Sequence, residues 1–149
     1  MPTTIDSAGI TFNDATSLTS ANIGTAQLVN GSVTAAKLGT TEQGQIAKAW
    51  VNFNGTLTSP ISPNSSFNVS TVTKHAAGDY TINFSNSLSN INYSVVGSSR
   101  EASSGNFSRI ISENGVNQLK TISQVRISAR DIGNSLSESN SISIVIFGN

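Results

Sequence analysis

The side chains able to carry acid–base, nucleophilic or metal chemistry are few and far apart in this chain. His75 is the sole histidine and cysteine is absent, so thiolate and disulfide chemistry are excluded and a metal finds no second nitrogen or sulfur ligand within one chain. Asp79 lies near His75 in sequence, but no serine stands in a Gly-x-Ser-x-Gly elbow beside them. The carboxylates Asp79, Glu101, Glu113, Asp131 and Glu138 are dispersed and form no adjacent pair of the kind glycosidases use. Asp131-Ile132-Gly133-Asn134-Ser135 lacks the alternating oxygen ligands of a calcium loop, and no Gly-rich phosphate loop occurs. These patterns predict no catalytic residue, no metal site and no cofactor. His75, with Lys74 before it and Ala76 and Ala77 after it, reads as a solvated turn residue. Several copies of the chain could gather their His75 rings on an axis, though the sequence gives no reason to choose that geometry.

Composition narrows the function classes further. In 149 residues, eight basic and eight acidic side chains cancel, so there is no basic block with which to capture nucleic acid. Only 11% of residues are charged and 36% hydrophobic, leaving Ser, Thr, Asn and Gly to make a surface suited to turns, subunit contacts or sugars. No apolar stretch approaches the roughly 20 residues that span a bilayer. The start, Met1-Pro2-Thr3-Thr4-Ile5-Asp6, carries neither a basic segment nor an apolar run, which predicts synthesis without an export signal.

The pattern that must position these residues is β-rich. Ser66-Phe67-Asn68-Val69-Ser70-Thr71-Val72 and Asp79-Tyr80-Thr81-Ile82-Asn83-Phe84 alternate with period two around a short reversal. They predict a hairpin whose buried face carries Phe67, Val69, Tyr80, Ile82 and Phe84. Before it, Val51 and Phe53 alternate with Trp50 and Asn52, and two prolines in residues 58–64 mark a loop. Trp50, on the parity opposite to Val51 and Phe53, is placed at a junction or subunit contact, with a sugar platform as the alternative. Tyr93 shares the parity of Val95 and points inward. Residues 98–105 are small or charged, with Arg100 and Glu101 at their centre, and read as an exposed tip. In 120–130, Val125, Ile127 and Ala129 share one face while Arg126 and Arg130 take the other. Residues 131–140 form a polar loop. The closing run Ile142-Ser143-Ile144-Val145-Ile146-Phe147 is apolar on both faces near its end, so it is expected to be covered on both sides, by a second sheet and by a loop or neighbouring subunit. About seven short strands with frequent turns predict an antiparallel β-sandwich head over residues 49–149.

Residues 1–48 differ. Leu18, Ile23, Leu28, Val33 and Leu38 recur every five residues, and Ile23-Gly24-Thr25-Ala26-Gln27-Leu28 is echoed by Val33-Thr34-Ala35-Ala36-Lys37-Leu38. This period belongs to neither helix nor strand. So sparse a set of apolar side chains cannot make its own core, and Ile23, Leu28, Val33 and Leu38 are read as contacts pooled between copies in an extended oligomerisation and attachment segment; an accidental pattern in a linker is the alternative. Residues 41–49 hold one or two helical turns, capped by Thr40 or Thr41 and weakened by Gly44.

The segments Ala47-Lys48-Ala49-Trp50-Val51-Asn52-Phe53-Asn54-Gly55-Thr56, Ser66-Phe67-Asn68-Val69-Ser70, Gly78-Asp79-Tyr80-Thr81-Ile82-Asn83-Phe84 and Val145-Ile146-Phe147-Gly148-Asn149 together resemble the C-terminal domain of tailed-bacteriophage and prophage tail fibres and related virion appendages. The upstream Gly31-Ser32-Val33-Thr34-Ala35-Ala36-Lys37-Leu38 is similar to short repeats that precede such domains. The resemblance covers residues 20–149, and its most specific part is Trp-Val-x-Phe-Asn-Gly joined to Gly-Asp-Tyr-Thr-x-x-Phe. It implies a non-enzymatic homotrimer at the virion surface, assembled in the host cytoplasm. The N-terminal segment would attach to other phage tail or capsid proteins, and head loops would meet a host-surface glycan or other receptor. The loops holding Arg100, Glu101 and Asn106, and Asp131 and Asn134, are the expected receptor contacts. The chain departs from long fibres in having almost no shaft, so a short tail fibre and a capsid or tail decoration protein are both implied, with a glycan-cleaving spike as a third class.

Overall fold

In a computed structural model, residues 4–6, 9–11, 17–18, 30–100, 109–114 and 120–148 are described. The chain divides into two compact units, Met1–Gly39 and Thr40–Asn149. In the first, β1 (Thr4–Asp6), β2 (Gly9–Thr11) and β3 (Ser17–Leu18) form a small antiparallel sheet in that order. Asn30 and Gly31 then turn the chain, with Gly31 at φ 80°, into a 3-10 turn over Ala35–Lys37. Lys37 Nζ donates to the Ser32 carbonyl at 2.6 Å.

The second unit is an all-β sandwich preceded by one helical turn, α1 (Thr40–Gln45). Its strands are β4 (Ala47–Phe53), β5 (Ser65–Phe67), β6 (Val69–Ala76), β7 (Asp79–Phe84), β8 (Ser94–Arg100), β9 (Ile110–Glu113), β10 (Gln124–Arg130) and β11 (Ser141–Phe147). Two antiparallel four-stranded sheets result, ordered β5-β4-β11-β8 and β6-β7-β10-β9. The apolar closing run is therefore a central strand, flanked by β4 and β8.

Alternation builds the core between the sheets. Ala49, Val51 and Phe53 from β4 and Ile142, Ile144 and Ile146 from β11 face Tyr80, Ile82 and Phe84 from β7 and Val125, Ile127 and Ala129 from β10, all buried. Phe53 meets Tyr80 edge-on with ring centroids 5.2 Å apart, and Phe84 meets the buried Tyr93 at 5.9 Å, the arrangement aromatic quadrupoles favour.

The expected hairpin exists as β6 and β7, but Phe67 is not on its buried face. Asn68, at φ 55°, breaks the run and passes the chain from one sheet to the other; Phe67 ends on the outer face of the first sheet, 54% exposed, while Val69 points into the core. The Asn68 amide fixes this crossing by donating to the Lys48 and Asn86 carbonyls, both at 3.1 Å, and accepting from the Asn86 N–H at 2.8 Å. A bulge follows at Ser70. The extra residue changes the parity, so Val69 and Val72 are both buried although they lie three positions apart. His75 lies on β6 rather than in a turn; it is exposed, and its Nε2 is 2.9 Å from Thr81 Oγ1.

Candidate functional site

Ala47 begins β4 at one end of the sandwich, and the opposite, distal end carries Arg100 and the 131–137 loop. The last residues of β8 and β10 and the first of β9 and β11 lie there, because Arg100 pairs with Ser141 and Arg130 with Ile110. Side chains join these strand ends. Ser99 Oγ accepts from the Arg109 N–H at 2.6 Å and lies 3.0 Å from the Arg109 carbonyl; Arg109 Nε donates to the Glu138 carbonyl at 3.1 Å; Ser139 Oγ donates to the Arg100 carbonyl at 2.7 Å. Arg109, Asp131, Ile132, Gly133 and Ser137 line a shallow depression of about 340 Å³.

The 131–137 loop is built rather than slack. Asp131 Oδ1 accepts the Ser135 N–H at 2.9 Å, the Asp131 N–H donates to the Ser135 carbonyl at 3.0 Å, and the Asn134 N–H returns to the Asp131 carbonyl at 3.0 Å. Asn134 takes φ 66°, a left-handed conformation that asparagine tolerates, and its carbonyl accepts from Arg130 Nη1 at 2.9 Å. Ile132 is left 82% exposed at the tip.

The expected receptor contacts are thus partly brought together. Arg100 is exposed on the last position of β8, a strand residue rather than the centre of a tip, and Asp131 and Asn134 occupy the loop at the same end. Glu101 and Asn106 lie outside the described residues. Arg109 was not singled out from sequence, and Glu138 was read only as one of the dispersed carboxylates; no local pattern marks their roles, which come from strand ends that meet only in the fold.

Of the residues read as contacts between copies, Val33 is exposed and Leu38 half-buried, while Ile23 and Leu28 lie outside the described residues. Trp50 is 37% exposed on the outer face of β4, opposite Phe67 on one side and Val145 on the other.

The charged groups are largely engaged in architecture. Glu138 pairs with Lys74, Glu113 with Lys120, and Asp79 with Arg126. The hydrogen bonds from Arg126 hold the Asp79 carboxyl below its ordinary range against the opposing effect of burial, with the charges of Arg126 and His75 and a bond from Asn114 adding to the lowering. The same partnership raises Arg126. Asp79 is therefore a fixed anion in a salt bridge at neutral pH, not a group poised to exchange protons. Among the described residues no three His, Cys, Asp or Glu side chains gather as a metal ion requires. What the distal end offers is guanidinium and amide hydrogen-bonding groups beside an exposed isoleucine.

No protein-family description and no curated protein matches this chain. Its fold is similar to part of one solved structure, the phiAB6 tailspike in complex with three-repeated oligosaccharides of Acinetobacter baumannii surface polysaccharide. The likeness has 15% identity and a TM-score of 0.46. It covers 69% of this chain and 20% of the tailspike chain.

Proposed function

We propose that this protein is a non-enzymatic structural component of a bacteriophage virion, a short tail fibre. Several copies assemble through the N-terminal segment, most simply as a homotrimer, and attach there to tail or capsid proteins; the distal end of the β-sandwich meets the host surface. The observation that carries this reading is the joint between the two sequence motifs on which the tail-fibre resemblance is most specific. Tyr80 of the second motif donates its hydroxyl to the Gly55 carbonyl of the first at 2.9 Å, and its ring packs edge-on against Phe53. The motif residues are thus the two halves of one structural contact, which explains why they occur together at this separation. Asp79 of the same motif is tied to Arg126 on β10 and pairs with Ser128, so the motif braces the end of the strand that leads into the 131–137 loop.

Locating the chain in intact particles by labelled cryo-electron microscopy tests the reading. A distal, protruding density supports a fibre. A lattice across capsid or sheath subunits replaces it with decoration, and absence from particles overturns both. Incubation with purified host-surface polymer supplies a second arm: loss of polymer would overturn the non-enzymatic assignment.

A further inference from the structure

The register of the β5-β4-β11-β8 sheet lines up its outward side chains in rows. Phe67 pairs with Trp50, Trp50 with Val145, and Val145 with Val96. One apolar side chain from each of the four strands therefore forms a continuous belt across the outer face, a width of about 14 Å at the usual strand spacing. Phe67 is 54% exposed, Val96 57%, Trp50 37% and the neighbouring Phe147 36%. The adjacent row, Ser65, Asn52, Ser143 and Ser98, is wholly polar and uncharged. We infer that this belt is a contact between copies of the chain, with a second copy's head as its occupant. The inference deepens the proposed assembly, and rests on that reading for the presence of several copies.

Area supports a second copy. With an aromatic side chain at about 200 Å², the four exposed side chains present on the order of 350 Å² of apolar surface. A stable interface covers about 800 Å² on each partner, with an apolar centre and a polar rim. The belt supplies roughly 70% of the apolar share of such an interface, and the serine and asparagine row beside it has the composition of the rim. Neither row carries a charge, and the charged residues of this face, Lys48 and Arg100, flank the two rows on β4 and β8, so no like-charge pair has to be buried at the centre of the contact.

A saccharide fits less well. Two of the four belt positions are valines, which offer no ring face to a sugar. Asn52, two residues from Trp50 on this face, is already engaged: its Nδ2 donates to Ser143 Oγ at 2.9 Å and Ser141 Oγ at 3.3 Å, and its Oδ1 accepts from Asn64 at 2.9 Å.

Trp50 is the sole tryptophan, so its emission reports on the belt directly. The test uses the full chain, comparing wild type with Phe67→Glu, Val96→Glu and, as a separate probe of the N-terminal segment, Leu28→Glu. Light-scattering mass and acrylamide quenching are read at micromolar concentration, with circular dichroism to confirm folding; Phe67 and Val96 are exposed enough for the substitutions to be tolerated in a single head. The expected result is a wild-type mass that is a multiple of 15.5 kDa, with Trp50 protected. Either belt variant should lower that mass, red-shift Trp50 and raise its quenching severalfold. A multimer whose mass and Trp50 protection survive both belt variants but not Leu28→Glu overturns the belt while leaving the proposed assembly standing. A monomeric wild type with freely quenched Trp50 overturns the belt contact, and the particle-labelling experiment still decides the virion reading independently. Protection of Trp50 in a monomer on adding maltohexaose or chitohexaose assigns the belt to a sugar and also overturns it.

Discussion

Arg126 grips Asp79 across neighbouring strands with two parallel hydrogen bonds, Nε to Oδ1 at 2.8 Å and Nη2 to Oδ2 at 2.6 Å. Asn114 adds a third partner to the same carboxylate at 3.4 Å, so β7, β10 and the end of β9 are tied at one point. Such two-pronged geometry is the strong form of an ion pair, and its weakness is that either half is costly alone. Replacing Asp79 by Asn should lower stability by about 2–3 kcal/mol, read as a drop in the urea midpoint at neutral pH. The pH dependence has a definite sign. Because the folded-state pKa of Asp79 lies below the unfolded value of 3.8, the unfolded chain takes up the proton first as acid is added. The stabilisation is complete well above pH 3.8 and is lost as pH falls through the folded-state value, so the gap between wild type and Asp79→Asn should close in acid. An undiminished gap there would show that the substitution acts by some other route.

Both tyrosines of the chain, Tyr80 and Tyr93, are buried, and burial is the main cause pushing each phenol from 10.0 up to about 12. The folded state favours the neutral phenol, so this contribution is intact below pH 10 and disappears as pH rises towards 12. Spectrophotometric titration should therefore show almost no phenolate at pH 10, followed by a rise that coincides with loss of β-structure. A tyrosine titrating at its ordinary value in the folded chain would contradict the packing described for it.

Gly78 and Gly55 sit where a side chain has no room. Gly78 adopts φ 69°, and a Cβ there would stand 2.5 Å from the Ala129 carbonyl oxygen and from the Ser137 nitrogen. At Gly55 a Cβ would stand 2.5 Å from the Tyr80 hydroxyl and 2.9 Å from the Ser139 carbonyl oxygen. Gly78→Ala, which combines backbone strain with a clash against backbone, should cost at least about 2 kcal/mol. Thermal unfolding compared with an alanine placed at exposed Thr56 would check it.

The 131–137 loop can be loosened without touching the core. Asn134→Gly keeps the left-handed turn and should leave the urea midpoint nearly unchanged, while Asn134→Val should lose about 1–2 kcal/mol and speed amide exchange at Ser135. If the distal end contacts the host, Asn134→Val and Ile132→Ser should both slow adsorption of particles carrying them. The core-buried Tyr80, replaced by Phe, should lower stability by about 1 kcal/mol and leave adsorption unchanged at permissive temperature.

How legible the molecule was depended on whether an interaction is local. The alternation of Val125, Ile127 and Ala129, and of Tyr80, Ile82 and Phe84, gives buried faces that the structure retains, because the face turned to the other sheet imposes an apolar period of two; Asp79, Thr81 and Ser128 on the opposite parity are polar though also buried. The same rule misplaced Phe67, since one left-handed residue at Asn68 and one bulge at Ser70 each reset the parity, and neither leaves a signal stronger than a common asparagine or serine. Arg100 was read as loop because Ser98 and Ser99 are small and polar; they are strand residues held by pairing with Ser143 and Ile142. The Asp79–Arg126 clasp, the Arg109–Glu138 contact and the row from Phe67 to Val96 all join residues distant in the chain. They follow from strand order and register, which periodicity alone does not contain.

Among the strands of the head, β4 is made first and β11 last, yet the two are immediate neighbours. Until β11 emerges from the ribosome, β4 and β8 each present a bare row of peptide groups, and the β6-β7-β10-β9 sheet lacks the cover of Ile142, Ile144 and Ile146. The head consequently cannot close in stages as it is synthesised; it must wait, with sticky surfaces exposed, for its final strand, so slow translation or premature release near that point is where nascent chains would be lost to aggregation or handed to chaperones.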